Sequence, residues 1–169
     1  LLQDSPLDID GDINGSFALQ GINETPYFNA NLTVDSCFVN KQALGEVQLS
    51  SNWNAELDML QLNLQSQQVN ANGWLQLALD DPTLSFDVRF HDFALAMAEP
   101  LVASFSSHVD GSLSGNFSVS GTTNNPIILG DAFVDNGALK IDITNVTYHI
   151  ADSLMFFNNT VTLKDFAIR

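Results

Sequence analysis

The chain has 169 residues, enough for one domain with a hydrophobic core, and its 20 acidic against 5 basic residues give a formal net charge of −15. This acidity argues against nucleic acid as a partner, because phosphates need a basic surface, and against electrostatic docking on anionic membranes. Hydrophobic residues make up 45% of the chain, which excludes a disordered acidic tail, and the single cysteine, Cys37, excludes an internal disulfide framework.

Apolar and polar residues alternate with a period of two along most of the chain. The apolar residues of these runs, in chain order, are Phe28, Ala30, Leu32 and Val34, then Leu75, Leu77 and Leu79, then Leu84, Phe86, Val88 and Phe90, then Leu113, Phe117 and Val119, then Leu139, Ile141 and Ile143, then Val146, Tyr148 and Ile150, and finally Val161 and Leu163. Such alternation places apolar side chains on one face of a strand. It predicts an all-β protein whose mostly antiparallel sheet has one dry face, built from about a dozen strands of about 7–11 residues.

Turn-forming residue pairs separate the alternating runs. We predict turns at Asn14-Gly15, Thr25-Pro26, Asn72-Gly73, Asp81-Pro82, Asn125-Pro126 and Asn136-Gly137. One stretch, residues 93–105, breaks the alternation because it is rich in alanine and has apolar residues at helical spacing. Pro100 suits the first turn of a helix, so we expect one short helix near residues 98–106.

Two segments of the chain match each other when the numbering is shifted by 100. Asp10, Gly11, Gly15, Phe17, Gly21, Pro26, Val34 and Asp35 are identical to Asp110, Gly111, Gly115, Phe117, Gly121, Pro126, Val134 and Asp135. This match predicts an internal repeat, 10–35 and 110–135, and repeated strand modules are how elongated sheets are built. We therefore expect residues 1–169 to form a single repetitive β domain, a fragment of a larger protein.

The second half of the chain carries a more distinctive pattern. Residues 111–130 have the form G-x-L-x-G-x-F-x-V-x-G-T-x-x-x-P-x-x-x-G, and the blocks NGALKI, NVTYHI, DSLMF and NNTVTLKDF follow between residues 136 and 166. This ordered series resembles the TamB family, the translocation and assembly module subunit within the AsmA-like group, and looks most like its Bacteroidetes-type members. The close resemblance covers residues 84–169, and the matched positions are scaffold residues.

The resemblance implies a long curved sheet folded into a taco-like open trough with an apolar concave face. It implies a non-enzymatic role in moving or sheltering phospholipid acyl chains between the inner and outer membranes, or in assembling outer-membrane proteins. The parent protein would then be anchored in the inner membrane of a Gram-negative bacterium, with this part in the periplasm and an outer-membrane β-barrel protein as a partner. Neither the resemblance nor any motif implies a cofactor or a metal.

The apolar residues expected to line a lipid groove come from the alternating runs in both halves of the chain. They are Phe17, Leu19, Phe28, Leu32, Val47, Leu49, Leu62, Leu64, Leu75, Leu77, Phe86, Val88, Phe117, Val119, Leu139, Ile141, Tyr148 and Ile150. The same residues would fill the closed core of a β-sandwich, in which two apolar faces meet. Such a sandwich, for protein interaction or for sugar binding through Trp53 and Trp74, is the alternative that the sequence leaves open.

Overall fold

The computed structural model describes residues 8–21, 27–77, 80–157 and 160–163, and the strands in these ranges form one ten-stranded antiparallel sheet. Each strand pairs with its neighbours in sequence, so the order in the sheet is the order in the chain. The strands are β1 (Ile9–Gln20), β2 (Tyr27–Val39), β3 (Gln42–Asn54), β4 (Met59–Gln65), β5 (Val69–Gln76), β6 (Thr83–Ala94), β7 (Ser106–Thr122), β8 (Pro126–Ile141), β9 (Val146–Phe157) and β10 (Thr160–Leu163). The predicted all-β fold is confirmed, and short connections explain why every neighbouring pair is antiparallel.

The connection between β6 and β7 holds the helical segment. A 3₁₀ turn, Leu95–Ala98, runs directly into a single α-helical turn, α1 (Glu99–Val102), with Pro100 in its first turn. The predicted short helix therefore exists but starts earlier than residue 98 and ends at Val102. Residues 103–105 form a turn, and β7 begins at Ser106.

Three of the predicted turns are wrong. Asn14-Gly15, Asn72-Gly73 and Asn136-Gly137 lie inside β1, β5 and β8, where the glycines serve close strand contact or a bulge rather than chain reversal. Asp81-Pro82 and Asn125-Pro126 do fall at connections, before β6 and at the start of β8. Thr25-Pro26 lies outside the described residues. An Asn-Gly pair marks a hairpin only where both residues take positive φ, which long strands do not require.

The two segments of the predicted repeat form hairpins with the same register. The equivalent pairs are Ile13–Val34 and Leu113–Val134, Gly15–Leu32 and Gly115–Ala132, and Phe17–Ala30 and Phe117–Gly130. Both hairpins also have a register shift at the same place, beside Gly11 and Gly111. There the carboxylates of Asp10 and Asp110 accept hydrogen bonds from the following backbone N–H, at 2.9 and 2.8 Å.

Gly115 lies where β7 and β8 approach too closely for a side chain. A Cβ atom on it would stand 2.3 Å from the carbonyl oxygen of Asp131 and 2.6 Å from the Cα of Ala132. Gly115→Ala should therefore force the strands apart and lower the free energy of unfolding by about 1–3 kcal/mol. Ser118→Ala, on the opposite face of the same strand, is the control and should stay within about 0.5 kcal/mol of the parent. Urea denaturation measures both, and equal midpoints would contradict this close contact.

The sheet curls so that two distant connections meet. In a flat sheet β2 and β6 would lie four strand spacings apart, about 19 Å. Instead, Met97 of the 3₁₀ turn after β6 packs against Cys37, Leu44 and Val47 at the β2–β3 end, over the shorter β4–β5 hairpin. The side-chain N–H of Asn40 donates to the carbonyl oxygen of Met97. The described sheet is thus a curved trough with its main buried cluster at one end.

Candidate functional site

The two faces of the sheet differ in chemistry from strand to strand. Directly paired residues of neighbouring strands point to the same face, so the register traces rows across the sheet. One row reads Phe17, Ala30, Ser51, Leu62, Gly73, Phe86, Val119 and Ile128. The next reads Gly15, Leu32, Leu49, Leu64, Ala71, Val88, Phe117, Gly130 and Phe156. We call the side that carries these rows the apolar face and the other side the polar face.

The register places the residues predicted for the groove together, with one exception. Leu77 follows the last residue of β5 and is exposed, so it does not belong to a strand. The others fall on the apolar face of their strands, including Leu139 and Tyr148, which pair with each other beyond the β8 bulge. Sequence reasoning left out Leu60 and Phe156, which lie on the same face. The alternation of Leu60 with Leu62 and Leu64 was the available signal for the first of these.

Aromatic rings form a continuous line on the apolar face from β6 to β9. Phe93 contacts Phe90 at 5.0 Å between ring centroids, Phe90 contacts Phe117 at 5.7 Å, and Phe117 contacts Phe156 at 5.1 Å. Phe117 and Phe156 belong to strands that are separated by β8, and both pair with Gly130. A Cβ at Gly130 would stand 2.9 Å from the Phe117 ring. The missing side chain therefore lets the two rings meet across the strand between them.

Charged side chains are almost excluded from the apolar face. Glu46, Asp87, Arg89 and Asp131 lie at alternate positions, on the polar face. Among the paired residues that the structure describes, Asp152 of β9, opposite Val134, supplies the one carboxylate on the apolar side. From β1 to β8 the two rows traced above present only hydrocarbon, glycine and the Ser51 hydroxyl. Partly exposed apolar surface of this extent, without a charge, favours an apolar ligand.

The burial of the apolar-face side chains differs between the edge strand β1 and the middle of the sheet. At the edge strand β1, Ile13 and Phe17 keep 68% and 62% of their surface exposed, whereas Leu60 of β4 keeps 3%. Most of the remaining apolar-face residues are half-buried, because they contact only neighbours within the same layer. Ser51 lies near the floor, and its hydroxyl has no hydrogen-bond partner among the described residues. No second sheet packs on this face within the described ranges, which form one layer rather than a sandwich.

Cys37 belongs to the buried cluster at the end of the trough. Burial raises the pKa of its thiol, and the negative charge of Asp10 raises that pKa further. A raised pKa leaves less thiolate at neutral pH, and the thiolate is the nucleophilic form. The side chain therefore packs as a small apolar group beside Leu44 and Met97.

The acidic stretch at the start of β1 and the histidine at the end of β6 form surface structure. The acidic stretch around Asp10 and Asp12 forms β1, and Asp35 accepts a hydrogen bond from Asn14 at 3.0 Å. Within the described part of the chain, no cluster of three or more His, Cys, Asp or Glu side chains is placed to hold a metal ion. The Nε2 atom of His91 lies 3.7 Å from the Oδ2 atom of Asp92, and both side chains are highly exposed.

Comparison with known proteins leaves the family open. No family model, curated protein or solved structure matches the chain. Among the described residues, no helix has the length and apolar character needed to cross a bilayer. The resemblance to the TamB family stays a prediction that rests on the motifs of residues 84–169.

Proposed function

We propose that the trough binds lipid acyl chains, and that the chain is a periplasmic segment of a TamB-type envelope protein that shelters phospholipid between membranes. One observation carries this proposal. The apolar face continues across eight neighbouring strands without a charged side chain on its paired residues, and the described part of the chain leaves it uncovered. An acyl chain needs a continuous apolar track and no specific polar contact.

The energy available is sufficient for such a ligand. Each methylene removed from water contributes roughly 0.8 kcal/mol, so a dozen methylenes contribute on the order of 10 kcal/mol before the entropy cost of binding. Binding also removes apolar surface of the protein from water, because Phe17, Phe86 and Phe117 keep part of their surface exposed in the lipid-free sheet. A charged headgroup would remain outside, since the paired apolar face offers it no charged partner between β1 and β8.

Native mass spectrometry of the purified chain tests this function directly. After expression in a Gram-negative host, we expect a fraction of the protein to carry adducts with the masses of phospholipids. Lipid-free protein should regain such adducts from vesicles of phosphatidylethanolamine and phosphatidylglycerol. Glycerophosphoethanolamine, which has the headgroup but no acyl chains, is the control and should not bind. Protein that neither co-purifies with phospholipid nor takes it up would contradict the proposal.

A further inference from the structure

The polar face of β1–β5 carries a groove that runs across the strands, with a volume of about 710 Å³. Two rows of side chains form its walls, and the backbone of the row between them forms its floor. One wall consists of Ser16, Asn31, Ser50, Asn63 and Asn72, and the other of Ala18, Asn29, Asn52, Gln61 and Trp74. We call this feature the amide groove, because six of the ten wall residues are asparagine or glutamine.

The side chains of the amide groove keep their hydrogen-bonding capacity. Among the described residues, the Asn29 carbonyl oxygen accepts a bond from the backbone N–H of Trp53 at 2.8 Å. The side-chain amides and hydroxyls of the other wall residues have no hydrogen-bond partner in the part of the chain that the structure describes. Each amide offers two donors and an acceptor, and each hydroxyl offers both functions. The groove is therefore lined by closely spaced groups that can both donate and accept.

The amide groove is also uncharged, although the chain as a whole carries a formal charge of −15. The wall that contains Asn72 becomes charged only at β6, where Asn72 pairs with Asp87, and the wall that contains Trp74 continues there to the uncharged Ser85. A cationic ligand would find no carboxylate in the groove, and an anionic ligand would find no basic group. A neutral ligand rich in hydroxyl groups fits this composition, because it can pair with amides without losing the hydration of a charge.

Trp74 supplies the apolar part of such a site. Its half-buried indole stands at one end of the groove, between Gln61 of β4 and Ser85 of β6. Indole rings provide a broad apolar surface for stacking, and the C–H face of a sugar ring is a suitable partner. Neighbouring strands repeat the wall side chains at a spacing of about 4.8 Å, which is close to the length of one pyranose unit.

We propose that the amide groove is a second binding site, which holds an extended neutral glycan chain across β1–β5 with one sugar stacked on Trp74. The glycan hydroxyls pair with the wall amides, and the chain runs perpendicular to the strands. This site is independent of the lipid function, since it lies on the opposite face of the sheet. The sheet would then hold lipid on one side and a neutral polysaccharide on the other.

Fluorescence titration of the full chain with cellohexaose and chitohexaose tests the proposal. The chain has two tryptophans, and Trp53 belongs to the apolar-face side of β3, so Trp53→Phe leaves Trp74 as the reporter. We expect a saturable change in its emission with at least one of the two neutral sugars. Calorimetry of the otherwise unchanged chain should then show that Trp74→Ala weakens binding about tenfold.

Two further variants test whether the sugar uses the wall amides and only the polar face. The double variant Asn63→Ala/Asn72→Ala removes two paired amides of one wall and should lower the affinity for the sugar. Phe86→Asp, on the opposite face, should leave that affinity unchanged. Circular dichroism checks that each variant stays folded. Absence of saturable binding with both sugars would overturn the proposal, as would a Trp74→Ala protein that binds them as tightly as the parent. Neither result bears on phospholipid uptake.

Discussion

Phe86→Asp is expected to abolish phospholipid binding while the sheet stays folded. Phe86 lies in the middle of β6, opposite Gly73 and Val119, and is half-buried. In the lipid-free trough a carboxylate at this position still reaches water, so the free energy of unfolding should fall by only about 1–3 kcal/mol. An acyl chain lying across the trough would strip that water away, and an unpaired charge beneath hydrocarbon costs several kcal/mol or more.

The matched control for this variant is the adjacent residue. Ser85→Asp introduces the same charge in the same strand but on the polar face, opposite Trp74 and Ser120. It should leave lipid occupancy in native mass spectra unchanged. Ile141→Asp, at the far end of β8 on the apolar face, extends the test along the trough and should also reduce occupancy. A Phe86→Asp protein that fails to fold would indicate a closed core instead, and one with full lipid occupancy would contradict the trough.

The sequence predicted the apolar face well because alternation is a local property. A strand places successive side chains on opposite faces whatever its partners are, so Phe86 and Val88 could be assigned to one side without knowledge of β5 or β7. Antiparallel pairing then aligns the apolar sides of neighbouring strands, since a slip by one residue would expose every apolar side chain of a strand. The prediction of a one-sided all-β sheet therefore needed no long-range information.

The misplaced turns show where local patterns stop being informative. Asn72-Gly73 has the composition of a hairpin turn, yet Gly73 lies in β5 because a Cβ there would stand 2.1 Å from the carbonyl oxygen of Ser85. This glycine is required by the close approach of β6, which the local sequence around Asn72-Gly73 does not contain. The chain reversal between β2 and β3 instead contains no glycine, and both of its residues, Asn40 and Lys41, have positive φ. Composition alone does not separate these two uses.

The end of the trough was equally hidden from sequence. Cys37, Leu44 and Met97 lie far apart along the chain and meet only because the sheet curls. No periodicity relates a 3₁₀ turn after β6 to the β2–β3 connection. The amide groove is similar in this respect, because its walls follow the register across five strands. Asn and Gln within a strand read as ordinary solvent-facing residues until the pairing sets them side by side.

Met97→Ala should be the most destabilising of the substitutions proposed for the fold. Met97 is 1% exposed and is the one fully buried large side chain in the described part of the chain. Its removal leaves a cavity among Cys37, Leu44 and Val47, and truncation of a buried methionine costs about 2–5 kcal/mol. A 3₁₀ turn of four residues has little stability of its own, so the packing of Met97 is what holds this connection over the β4–β5 hairpin.

Met97→Leu is the matched control, because it preserves volume and apolar character and should cost less than about 1.5 kcal/mol. Urea denaturation gives the difference between the two variants, and amide hydrogen exchange shows where it acts. In Met97→Ala, exchange should accelerate at residues 37–44 and 93–97 and change less in the middle of β7 and β8. Equal midpoints for the two variants would mean that the curl does not depend on this contact. A uniform rise in exchange would mean that the cluster stabilises the whole sheet rather than the end of the trough.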